Sequence, residues 1–157
     1  MKPSVNQLMQ KGIAAHQAGK AKEAKRLYRS ILSAQPNHPD ANYYLGVLSA
    51  NDGNLESSLS YLNRALQTDR KERRYWLALI EILIKSGLSD RARDTLKQGQ
   101  QNGLQTEDIE KLVSLLERKE NNPQPEQIDA LTVLYNQGDF AQIAKKSYKE
   151  KRAIIDV

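Results

Sequence analysis

The sequence predicts an all-α protein built as a solenoid of antiparallel helix pairs, and three observations carry that reading. Gly12, Gly19 and Ala24 return 34 residues on as Gly46, Gly53 and Ser58, and the later half of the pattern returns once more as Gly87 and Ala92. Around these markers apolar residues recur at intervals of three and four, which places them on one face of a helix. A unit of this length is too small to bury its own apolar face, so successive units must stack and leave a long surface for binding.

The first unit covers about residues 5–38. Leu8, Gly12 and Ala15 line one helix before Gly19, and Ala24, Leu27, Tyr28, Ile31 and Leu32 line a second after it. Ser4 followed by Gln7 fits a capping box, which gives the free amides of the first turn their partners. Gly19, and with it Gly53, Gly87 and Gly138, is expected to close the first helix of its pair, because glycine enters the left-handed conformation without a Cβ penalty. Ala24, Ser58 and Ala92 then stand where the two helices of a pair approach, since a larger side chain would push the axes apart.

The second unit, about 39–72, repeats the pattern with Ala41, Leu45, Gly46, Leu62, Ala65 and Leu66. The third, about 73–104, carries Trp76, Leu79, Leu83, Gly87, Ala92 and Leu96, with Gly99 and Gln100 expected to weaken its second helix. After Gly103 the pattern breaks. An additional packing helix is expected over 105–120, capped by Thr106, with Glu107, Asp108 and Glu110 near its positive end and Arg118 and Lys119 near its negative end. Its apolar face of Ile109, Leu112, Val113, Leu115 and Leu116 would cover the third pair. Residues 121–126 form a Pro-rich joint, because Pro123 and Pro125 disfavour helix at the residues before them. A partial fourth unit over 127–157 has Leu131, Leu134, Tyr135, Gly138, Phe140 and Ile143 in place, and then loses the apolar pattern to Lys145, Lys146, Lys149, Lys151 and Arg152.

Composition bounds the function. Hydrophobic residues at 39% and charged residues at 27% of 157 are globular usage, and the absence of cysteine removes disulfides and thiolate metal sites. No apolar run is long enough for a signal peptide or a membrane span, so a cytoplasmic protein is expected, without membrane, metal or cofactor. His16 and His38 are the only histidines, and the glycines recur singly at helix ends rather than as a phosphate loop. No catalytic constellation emerges.

These units resemble the tetratricopeptide repeat (TPR) family. Its signature of an aromatic, a Leu-Gly pair, a Gly between helices, a small residue, an Ala-Leu pair and a Pro is spread over Trp76, Leu45-Gly46, Gly19, Ala24, Ala65-Leu66 and Pro36. The resemblance implies a right-handed superhelix and a non-catalytic module that binds a peptide or helix of a partner protein in its concave groove. In that family the groove is lined by the first helix of each pair. Carried over, this gives Asn6, Met9, Ile13, His16 and Gln17 from unit one, Tyr43, Tyr44, Val47, Ala50 and Asn51 from unit two, and Arg74, Leu77, Ala78, Glu81, Ile84 and Lys85 from unit three. Each apolar position among them competes with a plain core role.

The best-known subclass grips a chaperone's C-terminal carboxylate. The five places it uses hold Met9, Ile13, Tyr44, Arg74 and Ala78 here, so only Arg74 keeps a charge and carboxylate capture is not expected. The order of units, extra helix and Pro-rich joint also resembles the N-terminal region of bacterial multi-repeat proteins. Some of those carry a glycosyltransferase or sulfotransferase domain, which makes a substrate-presenting arm the second reading.

A third reading is nucleic-acid binding. Net charge is +5 with a pI near 9.4, Lys22, Lys25, Arg26 and Arg29 share one helical stripe, and Lys71, Arg73 and Arg74 cluster later. Solvated outer faces explain such stripes more simply. The apolar ending Ala153, Ile154, Ile155 and Val157, with no covering helix after it, predicts weak self-association through the C-terminal repeat.

Overall fold

The computed structural model describes residues 3–121. Asn121 of the expected joint is the last residue of a helix, while the rest of the Pro-rich joint, the partial fourth unit with Gly138 and the apolar ending lie outside the described residues. Seven helices and no strand occur among the described residues: α1 Val5–Gln17, α2 Ala21–Ala34, α3 Pro39–Asn51, α4 Leu55–Thr68, α5 Arg73–Lys85, α6 Ser89–Gln101 and α7 Thr106–Asn121. Met1–Glu117 cluster as one compact unit, and the packing below belongs to it.

Local chemistry starts and stops these helices. At α1 the Ser4 hydroxyl accepts from the Gln7 amide at 3.2 Å and the Gln7 carboxamide accepts from the Ser4 amide at 2.9 Å, the reciprocal pair expected of a capping box. Asn54 caps α4 through the Ser57 amide, and Glu72 caps α5 through the Arg74 amide. The three pairs turn alike. Gly19, Gly53 and Gly87 have φ of 73°, 79° and 74°, and the amide that follows each reaches back to Ala15, Ser49 and Leu83 at 2.9 Å. That six-to-one bond is the Schellman closure, which only a left-handed residue permits without strain.

Within each pair the helices meet at small residues. Ala24, Ser58 and Ala92 are buried, and a Cβ added at Gly12 would lie 2.6 Å from the Tyr28 ring. One at Gly46 would lie 2.7 Å from Leu62. Two apolar clusters result. The first joins α1, α2 and α3 through Met9, Ala24, Tyr28, Ile31 and Leu45; the second joins α4 to α7 through Leu62, Trp76, Ile80, Leu83, Leu112 and Leu116.

Four expectations need correction. α6 is a full helix of 13 residues, because Gly99 is itself a packing glycine: a Cβ there would meet Leu104 at 2.5 Å and the Trp76 ring at 3.5 Å. Thr106 does not cap α7 but begins it, with the Gln105 carbonyl accepting from Asp108 and Ile109. Leu115 is exposed, so the buried stripe of α7 is Asp108, Leu112 and Leu116. Finally, the residue pattern breaks after Gly103 while the helical spacing does not, since α1, α3, α5 and α7 begin at residues 5, 39, 73 and 106.

Candidate functional site

A groove of about 410 Å³ runs between α3 and α5. Tyr43, Val47, Ala50 and Asn51 form one wall, spaced by four, three and one residues so that they share a face of α3. Arg74, Leu77, Ala78, Glu81, Ile82 and Lys85 form the other along α5, and Ser86 closes one end. Tyr43, Leu77, Ala78 and Ile82 also pack on the second apolar cluster, which fixes the floor.

Aromatic rings hold the α3 side in place. Tyr28 of α2 stacks on Tyr44 with centroids 5.1 Å apart, the Tyr44 ring meets His16 and Tyr43 edge-on at 5.7 and 5.0 Å, and Tyr43 leans on Tyr75 of α5 at 5.3 Å. Each of these contacts falls in the range where ring pairs attract. Burial pushes the phenols of Tyr28, Tyr43 and Tyr75 above the usual tyrosine range, so all three stay neutral at physiological pH.

Arg74 is already engaged. Its Nε donates to Glu72 Oε1 at 3.0 Å, and its Nη2 donates to Glu72 Oε2 at 3.2 Å and to Asp40 Oδ1 at 3.1 Å, while the guanidinium lies 5.6 Å from the centre of the Tyr43 ring. Tyr75 Oη donates to the same Asp40 oxygen at 2.9 Å. The bonds from Arg74 hold the Glu72 carboxyl below the ordinary carboxylate range, and the carboxylates raise the guanidinium further. Toward the other end Lys85 sits 3.7 Å from Glu81.

Of the residues expected to face a partner, Tyr43, Val47, Asn51, Arg74, Leu77, Glu81 and Lys85 line this groove together. Ile13 and His16 do not: Ile13 packs against the first apolar cluster, and His16 is taken up by Tyr44. Met9 and Ile84 are core residues, 8% and 2% exposed, which corrects their assignment to the binding face. Ile82, Ser86, Asp40 and Glu72 were missed. Ile82 was visible as the position four residues beyond Ala78, whereas nothing local in the sequence ties Asp40 to Arg74, 34 residues away.

A second depression of about 510 Å³ lies between α4 and α6, where Asn63, Gln67, Arg70, Arg91 and Gln98 surround Leu66, Trp76 and Leu79. The two basic clusters differ. Arg73 pairs with Asp108 and Arg74 with Glu72 and Asp40, whereas in the stripe of α2 Lys25 pairs with Asp52 and Lys22, Arg26 and Arg29 are exposed. Among the described residues no group of three or more acidic, histidine or cysteine side chains could hold a metal ion, and no helix is long and apolar enough to cross a membrane.

Stacked helix pairs closed by left-handed glycines, with an open channel between neighbouring first helices, define a helical-repeat protein. The tetratricopeptide repeat family model matches residues 15–79 and again residues 50–116, and the chain belongs to that family. Among solved structures, it is similar to the TPR domain of Sgt2 from Aspergillus fumigatus, at 21% identity and a TM-score of 0.64 over 75% of this chain and 80% of that one. It is also similar to the first TPR of Spaghetti (RPAP3) bound to the HSP90 peptide SRMEEVD, at 16% identity and a TM-score of 0.63 over 73% of this chain and 94% of that one. No curated protein matches the sequence.

Proposed function

We propose that the protein is an interaction module that takes the apolar face of a partner's helix or extended segment into the groove between α3 and α5. The observation that carries this is the groove itself: Val47, Ala50, Leu77, Ala78 and Ile82 form a continuous apolar strip, and Asn51, Arg74, Glu81, Lys85 and Ser86 surround it with polar groups. An apolar centre with a polar rim is the anatomy of a peptide-binding surface, where buried anchors supply affinity and the rim fixes direction. The peptide in the Spaghetti structure supports a polypeptide as the class of partner. The internal pairing of Arg73 and Arg74 weighs against the later basic cluster as a nucleic-acid contact.

Val47→Asp combined with Lys85→Glu tests it. The first change puts a carboxylate into the apolar strip and the second reverses the rim charge. A partner recovered from native extract and then purified should lose more than about 30-fold in affinity, the equivalent of about 2 kcal/mol for a groove anchor. Circular dichroism should show unchanged helicity. Undiminished binding by the folded double variant would place the contact elsewhere.

A further inference from the structure

We propose that the groove selects a partner segment with a lysine or arginine beside its apolar anchor, and that it rejects a free C-terminal carboxylate. The inference rests on the groove as the binding surface and adds the charge of its occupant. It starts from the hydrogen bonds of Arg74. Three of the guanidinium's five donors are used, two by Glu72 and one by Asp40. An incoming carboxylate would find only the two Nη1 donors left, and in taking them it would lie close to the carboxylates of Glu72 and Asp40, whose charge opposes it.

The same cluster favours a cation. Asp40 and Glu72 bring two negative charges to one positive charge, and their side chains keep 37% and 29% of their exposure, so both remain within reach of a ligand. The rings of Tyr43 and Tyr75 are engaged by Arg74 itself, at 5.6 and 5.8 Å from their centres, so the attraction for a second cation comes from the two carboxylates. Two of the neighbouring cations are turned elsewhere. Arg73 turns to Asp108, and Arg70 borders the depression between α4 and α6.

Fluorescence anisotropy with four labelled synthetic peptides tests the preference. Three share an amphipathic helix with leucines at i, i+4 and i+7 and differ only at one flanking position, which is Lys, Ala or Glu; the fourth is SRMEEVD. The Lys peptide should bind about tenfold more tightly than the Glu peptide at low salt, two surface charge contacts' worth, with Ala between them. SRMEEVD should show no saturable binding. Asp40→Asn keeps an acceptor for Tyr75 and removes one charge, so it should narrow the Lys-to-Glu ratio toward one. Equal binding of the three helices, a preference for Glu, or saturable capture of SRMEEVD would overturn the charge preference while the groove stands. If none of the four binds, the groove reading fails and this inference fails with it.

Discussion

Gly46 and Ser58 occupy the same helix crossing and call for opposite responses to alanine. A Cβ at Gly46 would sit 2.7 Å from Leu62 and 3.3 Å from the Ser58 carbonyl, and the second of these is backbone that cannot swing aside. Gly46→Ala gains helix propensity but overpacks the crossing, so a net loss of about 1–2 kcal/mol is expected by urea denaturation. Ser58 Oγ is buried with no protein partner. Ser58→Ala therefore removes an unsatisfied group and improves propensity, and should raise stability by about 1 kcal/mol in the same assay. The need for small side chains here was legible, because Gly46 and Ser58 recur at the repeat interval. What recurrence could not show was burial. Met9, Tyr43 and Leu77 hold the same place in successive units, yet Met9 is core while Tyr43 and Leu77 line the groove. Exposure at that place depends on which neighbours cover it, and a period carries no such information.

Single helices show the same division between what is local and what is not. The cap of α1 and the turns that close α1, α3 and α5 could be read from Ser4, Gln7, Gly19, Gly53 and Gly87, because their partners lie within a few residues. The attachment of α7 could not, because it depends on Arg73 and Asp108, which are far apart in sequence. Asp108 is only 3% exposed, and Arg73 Nε donates to it at 2.6 Å with a second bond from Nη2. From sequence it had read only as a favourable charge at the start of a helix. The bonds from Arg73 hold the Asp108 carboxyl below the ordinary range, despite the opposing effect of burial. A depressed carboxyl stabilises the fold fully above its unfolded value, near about pH 4, and the contribution disappears as pH falls through the lower folded value. Hydrogen-exchange protection of α7 should thus drop selectively in acid, before that of α1 and α2. Asp108→Asn should lower α7 protection already at neutral pH and flatten its acid response. The exposed Glu107–Lys111 pair leaves only a small residual. Unchanged α7 protection in the variant would show that apolar contacts alone hold the helix.

Over the whole molecule, the two apolar clusters make stability unequal along the chain. In stacked repeats each unit supports only its neighbours, so damage spreads by proximity. Trp76 is the natural place to test this, since it is 5% exposed, packs beside Gly99 and donates its indole N–H to the Arg70 carbonyl at 2.7 Å. Trp76→Ala should cost about 3–5 kcal/mol, the usual loss for a large buried aromatic. That loss falls on the cluster shared by α4 to α7, whereas Tyr28, Ile31 and Leu45 in the other cluster keep their own contacts. The link between the two clusters includes the ring contact from Tyr44 through Tyr43 to Tyr75, which is modest beside either core. Hydrogen exchange on Trp76→Ala should therefore show α5, α6 and α7 losing protection first, with α1 and α2 retained and the unfolding curve broadened into two steps. A single sharp transition with uniform loss of protection would mean that the aromatic contact and the α3–α4 crossing couple the halves more strongly than the cores divide them. In that case ligand contacts in the groove, which straddles α3 and α5, would stabilise every helix at once rather than the neighbouring units alone.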